Sequence, residues 1–118
     1  MKKLLIVAHG SRRESSNDEV RKLAVKVAAN LELVVDDVAI AFLEFASPSI
    51  ETALNDCFSR GSGEVTVLPY FLSGGNHVVD DIPREILTAL NKWPDKEVTM
   101  LPHIGASDAM VNLVAQAY

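Results

Sequence analysis

The sequence predicts an α/β fold, a four-stranded parallel sheet with helices on both faces. Four short strand-like runs, Lys3–Ala8, Val38–Leu43, Glu64–Leu68 and Glu97–Leu101, support this. The first two are continuously apolar, as central strands buried on both faces are. Each run is followed by apolar residues at helical spacing, giving a β-α order repeated four times. That alternation calls for a parallel sheet joined by right-handed crossovers. The chain has 118 residues, 48% of them apolar and 23% charged, which suits one compact domain spanning residues 1–118 and argues against disorder.

Taken in order, the first strand exits through Gly10 into a helix expected over Arg12–Leu33. Its inner stripe is Val20, Leu23, Ala24, Val27, Ala28 and Leu31. Asp36-Asp37 reads as a turn. After the second strand, Ser47-Pro48 reads as an N-cap followed by proline in the first turn. That helix buries Ile50, Ala53, Leu54, Cys57 and Phe58 and ends at Gly61 and Gly63. The third strand breaks at Pro69 into Ser73-Gly74-Gly75-Asn76-His77. A helix starting between His77 and Pro83 then carries Ile82, Ile86, Leu87 and Leu90 and stops at Trp93-Pro94. Ser107 caps a last helix with Met110, Val111, Val114 and Tyr118 facing inward.

Composition excludes several classes of function. The lone Cys57 rules out an internal disulfide and any multi-cysteine metal site, and it reads as a small buried hydrophobe. A net charge of −5 with no long basic stripe argues against nucleic acid. No apolar run approaches the roughly 20 residues of a membrane span, and no secretory signal opens the chain, so a cytoplasmic location is expected.

The chemistry gathers at the strand exits. In the common strand order 2-1-3-4, strands one and three are neighbours at the switch point, where open α/β sheets bind ligands. His9 follows strand one and His77 follows strand three, so the topology brings both to one crevice. Neutral imidazoles bind cobalt, nickel, iron or zinc and also take up protons. Two histidines make a poor structural zinc site, and an open, incomplete site suits transient metal handling or acid–base work. Glu44, at the end of strand two, is either a cleft carboxylate or a solvated strand terminus. His103, after strand four, reads as a rim residue. The turns at Gly10-Ser11 and Ser73-Gly74-Gly75 offer backbone N–H groups to carboxylate or phosphate, with Arg12, Arg13 and Arg84 close by. Neither turn carries a P-loop or a dinucleotide fingerprint.

These residues resemble a known family. Val7-Ala8-His9-Gly10-Ser11-Arg12 is similar to the opening motif of the sirohydrochlorin chelatases of the CbiX type. Phe42-Leu43-Glu44 with Pro48-Ser49-Ile50 resembles their second motif. Pro69 to His77 with Asp81-Ile82-Pro83 resembles their third. The resemblance implies a flavodoxin-like half of the class II chelatase fold. It also implies insertion of a divalent metal, cobalt ahead of nickel or iron, into a carboxylate-rich tetrapyrrole. His9 and His77 would then be the metal pair, and Glu44 an acidic residue near the metal path. Gly10, Ser11, Arg12, Ser73, Gly74 and Gly75 would hold the substrate's carboxylates, in a homodimer that needs no organic cofactor. The exit Leu101-Pro102-His103-Ile104-Gly105 departs from the family pattern at His103. Two rivals stay open: a non-catalytic tetrapyrrole- or metal-binding protein, and a flavodoxin-like signalling or phosphate-binding domain with no use for paired histidines.

Overall fold

The computed structural model describes residues 2–32 and 37–118, the side chains of His77 and Val79 excepted. Leu33 and Asp36 therefore fall outside the described residues. The order is β1 (Lys2–Ala8), α1 (Glu14–Asn30), β2 (Val38–Phe42), α2 (Ile50–Ser59), β3 (Glu64–Pro69), α3 (Ile82–Lys92), β4 (Glu97–Met100) and α4 (Asp108–Ala117). The four strands are parallel in the order β2-β1-β3-β4, as the sequence predicts. β1 pairs Leu5 with Ala39 on one side and with Val67 on the other. It is thus the strand at the centre of the motif-bearing exits.

Alternate residues of the strands feed two cores. Leu5, Val7, Val65 and Val67 pack with Leu54, Phe58, Ile82 and Ile86 of α2 and α3. Ile6 and Val38 pack with Ala24 and Ala28 of α1 on the other face. The α2–α3 side is further tied by the Trp93 indole N–H, which donates to Asn55 Oδ1 at 3.0 Å. Among the described residues no helix is long and apolar enough to cross a membrane.

Four local expectations are corrected. α1 is shorter than the span Arg12–Leu33, because Asn17 takes over the turn that precedes it and Leu31 closes it, exposed. The cap of α2 is Ser49, whose Oγ accepts from the Thr52 N–H at 3.2 Å. Ser47 cannot serve, since the Pro48 carbonyl is held by the Phe42 N–H at the end of β2. Pro69 belongs to β3, paired with Val7, and His77 opens a π-helical turn, His77–Asp81, eight residues later. Pro83 has no N–H to give an α-helical bond one turn back, and the wider turn fits that gap. In α3, Ala89 is buried and Leu87 is exposed.

The largest correction is α4. Ser107 caps it as expected, accepting from the Ala109 N–H. Yet Val111, Leu113, Val114 and Tyr118 are exposed, and no residue of α4 is buried. Helical spacing shows that an apolar stripe exists, but not that this chain supplies the surface that covers it. On the α1 side of the sheet, Thr66 and Leu68 of β3 are only half-buried and Thr99 of β4 is exposed.

Candidate active site

The loops leaving β1 and β2 are fastened to each other. The Leu43 N–H donates to the Ala8 carbonyl at 3.1 Å, and the Glu44 N–H donates to the His9 carbonyl at 2.9 Å. Gly10 has φ +93°, and a Cβ placed on it would stand 1.8 Å from the Glu44 carbonyl oxygen. Only glycine combines that conformation with so close an approach. The same carbonyl accepts from the Ala46 N–H at 2.8 Å, closing a γ-turn around Phe45, whose φ is 64°. The Glu44 backbone is held on both sides, and its carboxylate emerges beside His9.

His9 Nδ1 lies 3.0 Å from the Gly10 carbonyl oxygen. A carbonyl only accepts, so Nδ1 carries the proton and Nε2 of the neutral ring presents a lone pair. Nε2 stands 3.4 Å from Glu44 Oε2, with both side chains a little under half exposed. Two acceptors converging at this distance repel unless a cation sits between them. A proton gives an ion pair, and a metal ion gives a chelate. Donor atoms each about 2.0–2.2 Å from one ion at a tetrahedral angle stand about 3.4 Å apart. The pair therefore already has the bite of a metal site.

The β1 exit is braced from below by a buried asparagine. The Ser11 N–H donates to Asn17 Oδ1 at 2.9 Å, and Asn17 Nδ2 donates to the Ser11 carbonyl at 2.8 Å and to Glu14 Oε2 at 3.1 Å. Asn17 is 1% exposed. Hydrogen bonds from Asn17 and then Arg21 hold the Glu14 carboxyl below the usual carboxylate range. The first turn of α1 thus carries its own carboxylate, and the Ser11 N–H is engaged within the protein.

The loops leaving β3 and β4 form a second fastened pair. The Gly105 N–H donates to the Phe71 carbonyl at 2.9 Å, and a Cβ on Gly105 would stand 1.8 Å from the Leu72 carbonyl oxygen. The ring of His103 lies against Gly74, 3.1 Å from where a Cβ would be. Beside the β1 exit, between the start of α1 and Tyr70 at the end of β3, is a cleft of about 240 Å³. It is lined by His9, Gly10, Asn17, Phe42 and Tyr70, among others. Phe45 and Arg12 stand beside His9: the Phe45 ring centroid is 6.3 Å from that of His9, and the Arg12 guanidinium carbon is 4.8 Å above the Phe45 ring.

Residues 3–118 match the CbiX family. The chain belongs to that family. Among CbiX relatives it is 29% identical over 116 residues to the sirohydrochlorin ferrochelatase of Priestia megaterium, covering 98% of this chain and 43% of that protein. It superposes on a protein of Marinobacter aquaeolei described as a CbiX protein of cobalamin biosynthesis, with TM-score 0.82 and 26% identity. That match covers 99% of this chain and 93% of the other. The sirohydrochlorin chelatase SirB of Bacillus subtilis subspecies spizizenii, solved in complex with cobalt, gives TM-score 0.81 and 28% identity. Here 98% of this chain corresponds to 48% of SirB. The chain spans less than half the length of the ferrochelatases it matches. Its fold is the flavodoxin-like unit of class II chelatases.

For this CbiX chain the structure brings together His9, Glu44, Gly10 and Arg12. The backbone of His77 lies beyond β3, the neighbour of β1, and its side chain is outside the described residues. Among the described residues no group of three or more metal-ligating side chains occurs. Ser73, Gly74 and Gly75 form an exposed turn, with the Gly75 carbonyl accepting from the Val78 N–H at 3.1 Å. Arg13 is the N-cap residue of α1, and Arg84 pairs with Asp81 at 3.0 Å. The half-buried ring of His103 packs on the glycine-rich turn. Sequence reasoning passed over Asn17, Phe45 and Tyr70. Asn17 had a signal, as it stands on the stripe that continues through Val20, Ala24 and Ala28. A polar group there must find partners.

Proposed function

We propose that this CbiX protein is a metal chelatase that inserts a divalent ion, cobalt ahead of nickel or iron, into sirohydrochlorin or a similar carboxylate-rich tetrapyrrole. The observation that carries this reading is the 3.4 Å approach of His9 Nε2 and Glu44 Oε2 across the β1 and β2 exits. The relatives' activities, iron insertion in one and a cobalt complex in another, point the same way. The metal is a substrate. His9 and Glu44 hold it first, with His77 as the third ligand from the neighbouring strand exit. As the ion enters the ring, two pyrrole N–H protons leave, and Glu44 or a histidine accepts them. Arg12, Gly10 and the Ser73-Gly74-Gly75 turn take the substrate's carboxylates, with Ser11 shaping the loop through its bonds to Asn17.

The unit, residues 1–118, works as a homodimer in this reading. Its own cleft of about 240 Å³ falls below the roughly 300–1,000 Å³ typical of small-molecule sites, and a macrocycle needs a second wall. The exposed stripe of α4, with Val111 at 69% and Val114 at 64% exposure, is apolar surface that a second copy would cover. A cytoplasmic location belongs to the same reading and rests on the sequence.

Anaerobic incubation with sirohydrochlorin and each metal in turn, followed by absorbance, tests the proposal. Wild type should turn over excess metal. His9→Ala and His77→Ala should each lose on the order of 100-fold in rate, and Glu44→Gln about ten-fold. Full activity of His9→Ala overturns the site, and binding without turnover reduces the protein to a carrier. Sedimentation showing an active monomer overturns the dimer.

A further inference from the structure

Phe45 stands where the fold has no need of an aromatic ring. It is 54% exposed and belongs to neither core. Its backbone has φ 64°, a conformation in which a bulky residue is an outlier. The γ-turn that holds it there is closed by the 2.8 Å bond from the Ala46 N–H to the Glu44 carbonyl. The consequence is positional. The turn that fixes the Glu44 backbone also lifts the Phe45 ring to the edge of the His9–Glu44 pair, 6.3 Å from the imidazole and tilted 52° to it. Arg12, from the facing loop, lays its guanidinium 4.8 Å from the ring centroid. A half-exposed aromatic ring, with a cation over one of its faces, thus stands at the edge of the metal-binding pair.

That combination matches one class of ligand: a flat, conjugated macrocycle whose rim carries carboxylates. We infer that Phe45 is a substrate-positioning residue, the platform on which the tetrapyrrole ring lies beside His9 and Glu44, with Arg12 paired to a rim carboxylate. This rests on the chelatase reading above. Stacking supplies affinity through the ring face, and the neighbouring guanidinium adds both charge and orientation. The strained backbone is the means by which a loop that must bind Glu44 on both sides can still present a ring outward.

Phe45→Gly is the informative variant. Glycine accepts φ 64° without strain, so the turn and the 3.4 Å His9–Glu44 pair stay while the ring goes. The probes are sirohydrochlorin alone, titrated anaerobically by absorbance, and Co²⁺ alone, titrated by calorimetry. Phe45→Gly should raise the Kd for sirohydrochlorin about ten-fold and leave that for Co²⁺ within two-fold. In turnover the KM for the tetrapyrrole should rise while the KM for the metal holds. Phe45→Trp and Phe45→Tyr should restore binding, and thermal melting should place all three variants within about 3 °C of wild type. Unchanged sirohydrochlorin binding in Phe45→Gly overturns the platform alone. So does a parallel loss of Co²⁺ binding, which would mark a structural role. Wild type that binds no tetrapyrrole overturns the chelatase reading and the platform with it.

Discussion

Gly10→Ala is the sharpest perturbation of the site that keeps the His9 and Glu44 side chains. A Cβ at this position lands 1.8 Å from the Glu44 carbonyl oxygen, whereas Cβ contacts do not go below 3.0 Å, so the two loops must part by at least 1.2 Å. The backbone also has φ +93°, which costs a non-glycine residue about 1–2 kcal/mol. Parting the loops strains the 2.9 Å bond between the Glu44 N–H and the His9 carbonyl, worth about 1 kcal/mol. The sum, about 2–3 kcal/mol, corresponds to a fall in Tm of about 10 °C for a chain of this size. A displacement of about 1 Å at a reacting pair costs on the order of 100-fold in rate. Two controls separate the causes. Gly61 has φ +100° with nothing within 4 Å of its Cβ, so Gly61→Ala should lose about 1 kcal/mol and keep the rate. Gly63 has neither a positive φ nor a neighbour, so Gly63→Ala should change little. Melting curves and metal insertion measured on the three proteins decide the matter. A Gly10→Ala protein with wild-type melting and rate refutes the close packing of the two loops as the source of the His9–Glu44 geometry.

Asn17→Ala leaves the Ser11 N–H and carbonyl unpaired beside the core. We expect about 2–3 kcal/mol of lost stability and a raised KM for the tetrapyrrole, read by denaturant unfolding and by initial rates. A loss below about 0.5 kcal/mol would mean that the asparagine braces nothing. Burial pushes the Cys57 thiol above its ordinary range near 9, so the folded state holds that proton more tightly than the unfolded chain does. The corresponding stability is present below pH about 9 and is lost as pH rises through the folded value, a trend that Cys57→Ala should flatten. Native protein should also resist thiol reagents until unfolded, and rapid labelling at neutral pH would contradict the burial.

The sequence by itself determined the layer architecture. Unbroken apolar strands and helical spacing are local patterns, and with the handedness of crossovers they leave few strand orders. The observed β2-β1-β3-β4 is the common one. It also placed His9, Glu44 and His77 at strand exits, because those positions follow from counting along the chain. The tertiary structure alone decided which exits touch. That Gly10 lies under the Glu44 carbonyl and Gly105 under the Leu72 carbonyl depends on strand register and loop closure, and neither glycine announces its partner. The 3.4 Å pair of His9 and Glu44 is a consequence of that packing, since a carboxylate at a strand end reads equally well as solvated. The cap at Ser49 was hidden because the Pro48 carbonyl is spent on β2, a long-range bond. The stripe on α4 shows the limit most plainly. Its spacing fixes which residues share a face, but covering that face takes a surface that the helix's own sequence does not encode.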